Sequence, residues 1–270
     1  MIMQPFSGPV KVLGIPLDEN SSFFRGPAQA PEHIRSVLFS ASTDMCAESG
    51  LDLRTDLRWQ DIGNIEVSTG ETAFTQIEEA VTGLLAQDAR VLSLGGDHSV
   101  TYPILRAYAK KYPSLTILHL DAHPDLYDEF EGSRRSHACP FARIMENGLA
   151  ARLVQVGIRT MNPPQRQQVE RFGVTSIEMR DWTPDYPLAL EGPLYLSLDI
   201  DVLDPAFAPG ISHHEPGGLT TREVLRIIHD IHVPLVGADI VEYNPHRDLL
   251  GMTAMVAAKF YRELVALLLV

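Results

Sequence analysis

The run Leu115-Thr116-Ile117-Leu118-His119-Leu120-Asp121-Ala122-His123-Pro124-Asp125 decides the fold. Its apolar half has strand length, and it breaks at once into acids and imidazole. Two further runs do the same: Val91 to Leu94 leads into Gly95-Gly96-Asp97-His98-Ser99, and Leu194 to Leu198 leads into Asp199-Ile200-Asp201-Val202-Leu203-Asp204-Pro205. In an open parallel sheet the carboxyl ends of the strands border the ligand crevice, so residues distant in sequence can meet there. Residues i and i+2 of an extended chain share a face, which aims Asp121 with His123, and Asp199 with Asp201, into one space.

Outward from these runs, Val10 to Ile15, Leu153 to Val156 and Leu235 to Ile240 are further strand candidates. Phe74, Ile77, Val81, Leu84 and Leu85 recur at helical spacing within 70–87. Thr220 and Glu223 form a capping box opening a helix through Ile231, Pro31 begins another helix, and Thr253 to Leu268 fits a terminal amphipathic one. Strand and helix alternating from end to end predict an α/β protein, a mostly parallel sheet between helical layers. With no repeat or linker-like tract, residues 1–270 read as a single three-layer domain.

The chain has 270 residues, 45% of them hydrophobic, and a formal charge of −13, which suits a soluble globular protein and speaks against nucleic acid or an anionic membrane as partner. Met1 to Pro9 lacks a basic region followed by an apolar stretch, and the longest apolar run is Leu264 to Val270, so neither a signal peptide nor a membrane span is expected. Cys46 and Cys139 read as reduced thiols in a cytoplasmic setting.

Asp121, Asp125, Asp199 and Asp201 packed together would repel one another unless cations sat among them. Two divalent ions balance four carboxylates, and the imidazoles of His98 and His123 shift the choice from Mg²⁺ or Ca²⁺ towards a transition metal such as Mn²⁺. The competing reading has each Asp merely capping a turn, which is plausible for one cluster and weak for three. Glu242 follows the apolar run ending at Ile240, where a carboxylate can accept two hydrogen bonds from a planar guanidinium, although taken on its own a surface Glu before a turn is the better explanation.

The sequence resembles the ureohydrolase family of binuclear manganese enzymes, arginases and agmatinases, and within it the plant-type arginases. The resemblance is carried by NSSFFRGPAQAP (20–31), LGGDHS (94–99), LHLDAHPDLYDEFEGSRRSHACPFARIMENG (118–148), VQVGIR (154–159), DIDVLDPAFAPGISHHEPGGLTTREVL (199–225), GADIVEYNPHRD (237–248) and GMTAMVAAK (251–259). It implies two Mn²⁺ per chain, one bound by His98, Asp121, Asp125 and Asp199, the other by Asp121, His123, Asp199 and Asp201. It further implies Glu242 as guanidinium acceptor, His137 as proton shuttle, and a homotrimer or homohexamer. An imidazole titrating at about pH 7 could pass a proton to the leaving amine and return to solvent.

The expected reaction is hydrolysis of L-arginine to urea and L-ornithine, with agmatine, giving putrescine, or another small cationic guanidino compound as the alternative substrate. A binuclear phosphoesterase would have no use for Glu242, and a non-catalytic metal-binding relative would not need the full ligand set. Tyr127 to His137 and Arg159 to Asn162 are expected to rim the pocket, where Ser133, Arg134, Arg135, Ser136, Thr160 and Asn162 could meet an α-carboxylate; Ser133, Ser136 and Asn162 are the substrate contacts chosen. Animal arginases resemble one another in carrying acids near the positions of Thr160 and Asn162, which this chain lacks. Gly95 and Gly96 read as a tight turn closely approaching the metal. Arg159 reads as a rim residue, an inter-subunit partner or a surface ion pair, His119 as a hydrogen-bond partner of Asp121 or a packed core residue, and His213 and His214 carry no derived role.

Overall fold

Residues 8–270 are described by the computed structural model; residues 1–7, which supplied most of the argument against a leader, lie outside the described residues. Eight strands form one all-parallel sheet: β1 (Val10–Gly14), β2 (Trp59–Asn64), β3 (Arg90–Leu94), β4 (Thr116–Leu120), β5 (Arg152–Ile158), β6 (Thr175–Glu178), β7 (Leu194–Asp199) and β8 (Leu235–Val241), in the spatial order β2-β1-β3-β8-β7-β4-β5-β6. The six strands expected from apolar runs are all present. The four central ones, β3, β8, β7 and β4, are buried at every position, which is why they are mostly apolar, and the polar residues they do carry, His119, Ser197 and Asp239 among them, are hydrogen-bonded to one another or to the cluster. Edge strands β2 and β6 were not anticipated: β2 alternates half-buried with exposed and β6 has one buried residue, so neither needs an apolar run.

Helices cover both faces. On one face, α1 (Ala30–Leu38), α6 (Thr221–His229) and α7 (Met252–Leu268) bury Ile34, Leu38, Val224, Ile228, Tyr261 and Leu264 against the sheet. On the other, α2 (Gly70–Leu85), α3 (Thr101–Lys111) and α4 (Pro140–Glu146) bury Phe74, Ile77, Val81, Ile104, Tyr108 and Phe141, with α5 (Pro163–Phe172) alongside through Val169 and Phe172. The Thr220–Glu223 capping box forms in both directions, and Pro31 lies in the first turn of α1, one residue after its start. Among the described residues no helix is long and apolar enough to cross a membrane.

Two glycines hold strand ends close together. A Cβ on Gly96 would lie 1.7 Å from the Leu17 carbonyl oxygen, so the turn after β3 is pressed against the chain leaving β1. Gly95 beside it is closed in by the Val241 and Val100 side chains, so the tight turn expected of the pair is present. Gly157, at φ +100°, would set a Cβ 2.8 Å from the Asp121 carbonyl oxygen, which allows β5 to pack beside the acidic end of β4.

Candidate active site

The ends of β3, β8, β7 and β4, neighbours at the middle of the sheet, supply the cluster. His98 opens a single 3-10 turn after β3, capped by Asp97; Asp199 ends β7 and caps the 3-10 turn that carries Asp201; Asp121, His123 and Asp125 follow β4, and Glu242 follows β8. Turn capping and convergence therefore coexist in Asp199. His98 Nδ1 lies 3.2 Å from Asp121 Oδ2, 3.1 Å from Asp125 Oδ2 and 3.2 Å from Asp199 Oδ2. His123 Nδ1 lies 2.9 Å from Asp201 Oδ2 and 3.4 Å from Asp121 Oδ1. Asp121 thus offers one oxygen to each imidazole.

The hydrogen bonds behind His98 define its tautomer. Its Nε2 is 3.0 Å from Ser197 Oγ, and Ser197 donates its own proton to Asp239 Oδ1 at 2.7 Å. Asp239 also accepts from Tyr195 and Thr101, so Ser197 is left to accept from His98 Nε2–H. In the neutral ring Nδ1 is then a bare lone pair facing three carboxylates, and it is a buried atom with no hydrogen-bond partner. Such an arrangement needs a cation. Without a metal the cation is a proton: although burial opposes it, Asp121, Asp125 and Asp199 hold the His98 imidazolium well above the usual pKa. Burial and the neighbouring carboxylates push Asp199 and Asp201 up, whereas His119, with His123 and His98, holds Asp121 well below the usual range despite its burial.

A divalent ion fits this donor set. Donors 3.1 to 3.2 Å apart span an octahedral edge whose bonds are about 2.2 Å, between those of Mg²⁺ at about 2.1 Å and Ca²⁺ at about 2.4 Å. Mixed carboxylate and imidazole ligation also suits a first-row transition ion. His119 stands within reach of the cluster but works from behind it. Its Nδ1 accepts from Gln155 Nε2 at 3.0 Å, leaving Nε2–H to donate to Asp121 Oδ2 at 2.7 Å, while its ring stacks on Phe141 at 3.9 Å. The two readings left open for it are both realised: it is fully buried, and it orients a cluster carboxylate.

Glu242 and Asp125 adopt left-handed backbone, φ +63° and +49°, a costly conformation for residues with a Cβ and one that turns both side chains inward. Glu242 Oε1 accepts from the His98 backbone N–H and from His137 Nδ1–H, each at 2.8 Å. Among the described residues, no hydrogen bond reaches Glu242 Oε2. His137 is only 8% exposed; burial opposes its charge, but Glu242 raises its pKa to about 9. The sequence reading has His137 as a near-neutral, solvent-returning imidazole; here it is buried and Glu242 favours its charged form. Asp97, buried beside this pair, is pushed up to about 7 by desolvation and by the charge of Glu242.

Above the cluster lies a cavity of about 160 Å³, walled by Ser22, Tyr127, Phe130, Thr160, Gln165 and His213, with His123, Asp125, His137, Asp199, Asp201 and Glu242 towards its floor. The model of the Arginase family matches residues 9–266. The chain belongs to the Arginase family. It is 48% identical to Arginase 1, mitochondrial, of Arabidopsis thaliana, over 94% of this chain and 80% of the relative. It is also 34% identical to the agmatinase of Bacillus cereus, over 95% and 90% of the two chains. The structure of arginase from Medicago truncatula superposes with a TM-score of 0.91 at 43% identity, covering 97% of this chain and 88% of that one. A cytoplasmic setting, inferred from two thiols, is overturned: the Arabidopsis relatives are named mitochondrial and chloroplastic/mitochondrial. Free Cys46 and Cys139 fit reducing surroundings but do not say which compartment supplies them.

In this Arginase-family chain, none of the three chosen substrate contacts lines the cavity. Ser133 closes a tight turn with Phe130, and Ser136 faces a separate crevice with Phe74 and Tyr102. Asn162 caps α5, accepting from Gln165 N, and its amide donates to Tyr127 Oη. Their polarity is spent on loop and cap geometry, which residue type alone does not reveal. Arg134 and Arg135 are likewise engaged outside, with Asp128 and Glu146, and with Glu71. Thr160 does face the cavity, and Ser22, Tyr127, Phe130 and Gln165 join it. Among the described residues Arg159 makes no ion pair: its guanidinium donates to the carbonyl oxygens of Gly157, Asp201, Val202, Leu203 and Glu215, tying the loops after β5 and β7 together. His213 sets its ring 5.2 Å from His137, and burial followed by the charge of His137 lowers its pKa; His214 turns outward to the Pro209 carbonyl.

Proposed function

We propose that this single-domain Arginase-family enzyme hydrolyses the guanidinium group of L-arginine to urea and L-ornithine, using two Mn²⁺ held by its strand-end cluster. The observation that carries the chemistry is the bare His98 Nδ1 among three carboxylate oxygens beneath Glu242. The choice of arginine rests on the similarity to plant arginases, 48% identity to the first Arabidopsis enzyme.

His98, Asp121, Asp125 and Asp199 would hold one ion, and Asp121, His123, Asp199 and Asp201 the other. Bound there, the ions supply Lewis-acid polarisation and bring the pKa of water to about 7. Glu242 receives the guanidinium: Oε2 is open, and Oε1 exchanges its bond from His137 for a guanidinium N–H, placing the carbon over the cluster. His137, released from that bond, holds a proton ready for the nitrogen that leaves with ornithine. Since Glu242 and the cluster meet only the guanidinium, selection of the rest of the molecule falls to the cavity walls, where Tyr127 and Gln165 offer neutral donors, the Thr160 hydroxyl already donating to the Ala122 carbonyl. The active unit is a homotrimer or homohexamer, in line with the family resemblance. The test is urea release from L-arginine, agmatine and guanidinobutyrate by the manganese-loaded protein. A higher kcat/KM for agmatine would move the substrate to the agmatinase reading while keeping the chemistry, and release from none would refute it.

A further inference from the structure

The segment that carries Asn20, Ser21 and Ser22 has no secondary structure, yet it is tied into the site at several points. Asn20 N–H and Ser21 Oγ donate to Asp97 Oδ2 at 2.9 and 3.4 Å, and Asn20 Nδ2 donates to Ser99 Oγ at 2.9 Å. So held, the Asn20 carbonyl accepts from the His137 backbone N–H at 3.1 Å, and Ser22 Oγ lies 2.8 Å from His137 Nε2. One short segment therefore grips both the backbone and the ring of the same histidine.

The two ring nitrogens of His137 have partners of different capability. Nδ1 faces the Glu242 carboxylate, which only accepts, so Nδ1 carries a proton at rest. Nε2 faces a hydroxyl, which can accept from Nε2–H in the imidazolium and can still accept after the ring has lost its other proton. We propose that Ser22 is a positioning residue for His137: by accepting Nε2–H throughout turnover, it holds the ring in place and makes Nδ1 the nitrogen that delivers the proton. This rests on the ureohydrolase reading above. In the step concerned, the C–N bond of the collapsing adduct breaks with its electron pair going to the departing nitrogen. The Nδ1–H bond breaks as that nitrogen takes the proton, and the neutral imidazole keeps its proton at Nε2 against Ser22. A proton from water then restores Nδ1–H. Without the hydroxyl, the neutral ring can hold its proton on either nitrogen and turn away from the leaving group.

The test is a double-mutant cycle in the manganese-loaded protein, combined with ¹⁵N NMR of the His137 ring in protein loaded with diamagnetic Mg²⁺ instead, which does not depend on turnover. Ser22→Ala should lower kcat about 10- to 100-fold with KM and manganese content unchanged, as for loss of a hydrogen bond to a charged group. Ser22→Thr, which keeps the hydroxyl, should restore most of the rate. In a His137→Ala background Ser22→Ala should have no further effect, because the two residues act as one unit. The Nε2–H proton of His137 should be protected from exchange with water in the wild type and should exchange rapidly in Ser22→Ala. A rise in KM at unchanged kcat would make Ser22 a substrate contact instead, and a full Ser22→Ala loss without His137 would make its role independent of the ring; either overturns the proposal. So would an Nε2–H signal unaffected by the substitution. If the wild type released no urea from any guanidino compound, the reaction would be refuted, while the NMR result would still decide whether Ser22 accepts and holds the Nε2 proton of His137.

Discussion

Replacing Glu242 by Gln is the perturbation whose size the structure sets most directly. The two side chains are nearly isosteric, and the amide oxygen can still accept the His98 backbone N–H, but the charge facing His137 is lost. Glu242 is the main group that raises His137 from 6.5 to about 9 against an opposing burial effect. At about 1.4 kcal/mol per pKa unit this corresponds to roughly 3 kcal/mol of folding stability. The sign follows from the raised pKa: the contribution is fully present below pH 6.5 and is lost as pH climbs through about 9. Metal-free wild type and Glu242→Gln would be compared by denaturant unfolding across that range, with the His137 ring followed by NMR. The stability gap should be widest at the acid end and should shrink by roughly 3 kcal/mol towards the alkaline end, with His137 in the variant titrating well below about 9, because burial is then opposed only by Asp125 and Asp97. A gap independent of pH, or a His137 in the variant still titrating at about 9, would refute the assignment of this ion pair.

Asp121→Ala removes the carboxylate that faces both His98 and His123, so elemental analysis should find both ions lost and turnover abolished; full metal content in this variant would sink the shared-ligand role. His137→Ala should lower kcat by about 10² to 10⁴ with manganese content unchanged, the usual cost of a missing acid/base group; loss of manganese instead would mean that His137 is a ligand.

What could be read from the sequence follows burial. Strands such as Leu194–Asp199, enclosed on both faces, are mostly apolar and end abruptly where chemistry begins, so both the sheet centre and the converging acids are visible in the text of the chain, whereas the supporting role of Ser197 inside the strand is not. Trp59–Asn64, at the edge, escapes because half its residues meet water, and α5 escapes because few of its residues are buried. The site was legible where one strand end supplies neighbouring acids and imidazole, as in Asp121-Ala122-His123-Pro124-Asp125. It was not legible where loops decide direction: Ser133 and Ser136 are as polar as Ser22, yet only Ser22 faces the cavity, because Asp97 pins its segment from below. Arg159 was misjudged for a related reason, since its five acceptors are backbone carbonyls, which no side-chain pattern announces.

The most direct measurement is titration of Mn²⁺ into the chelator-stripped protein while urea release from L-arginine is followed. The account predicts that activity is absent at the start, grows with added manganese and saturates at two ions per chain. Full activity in the stripped protein, or no urea at any manganese loading, would contradict it.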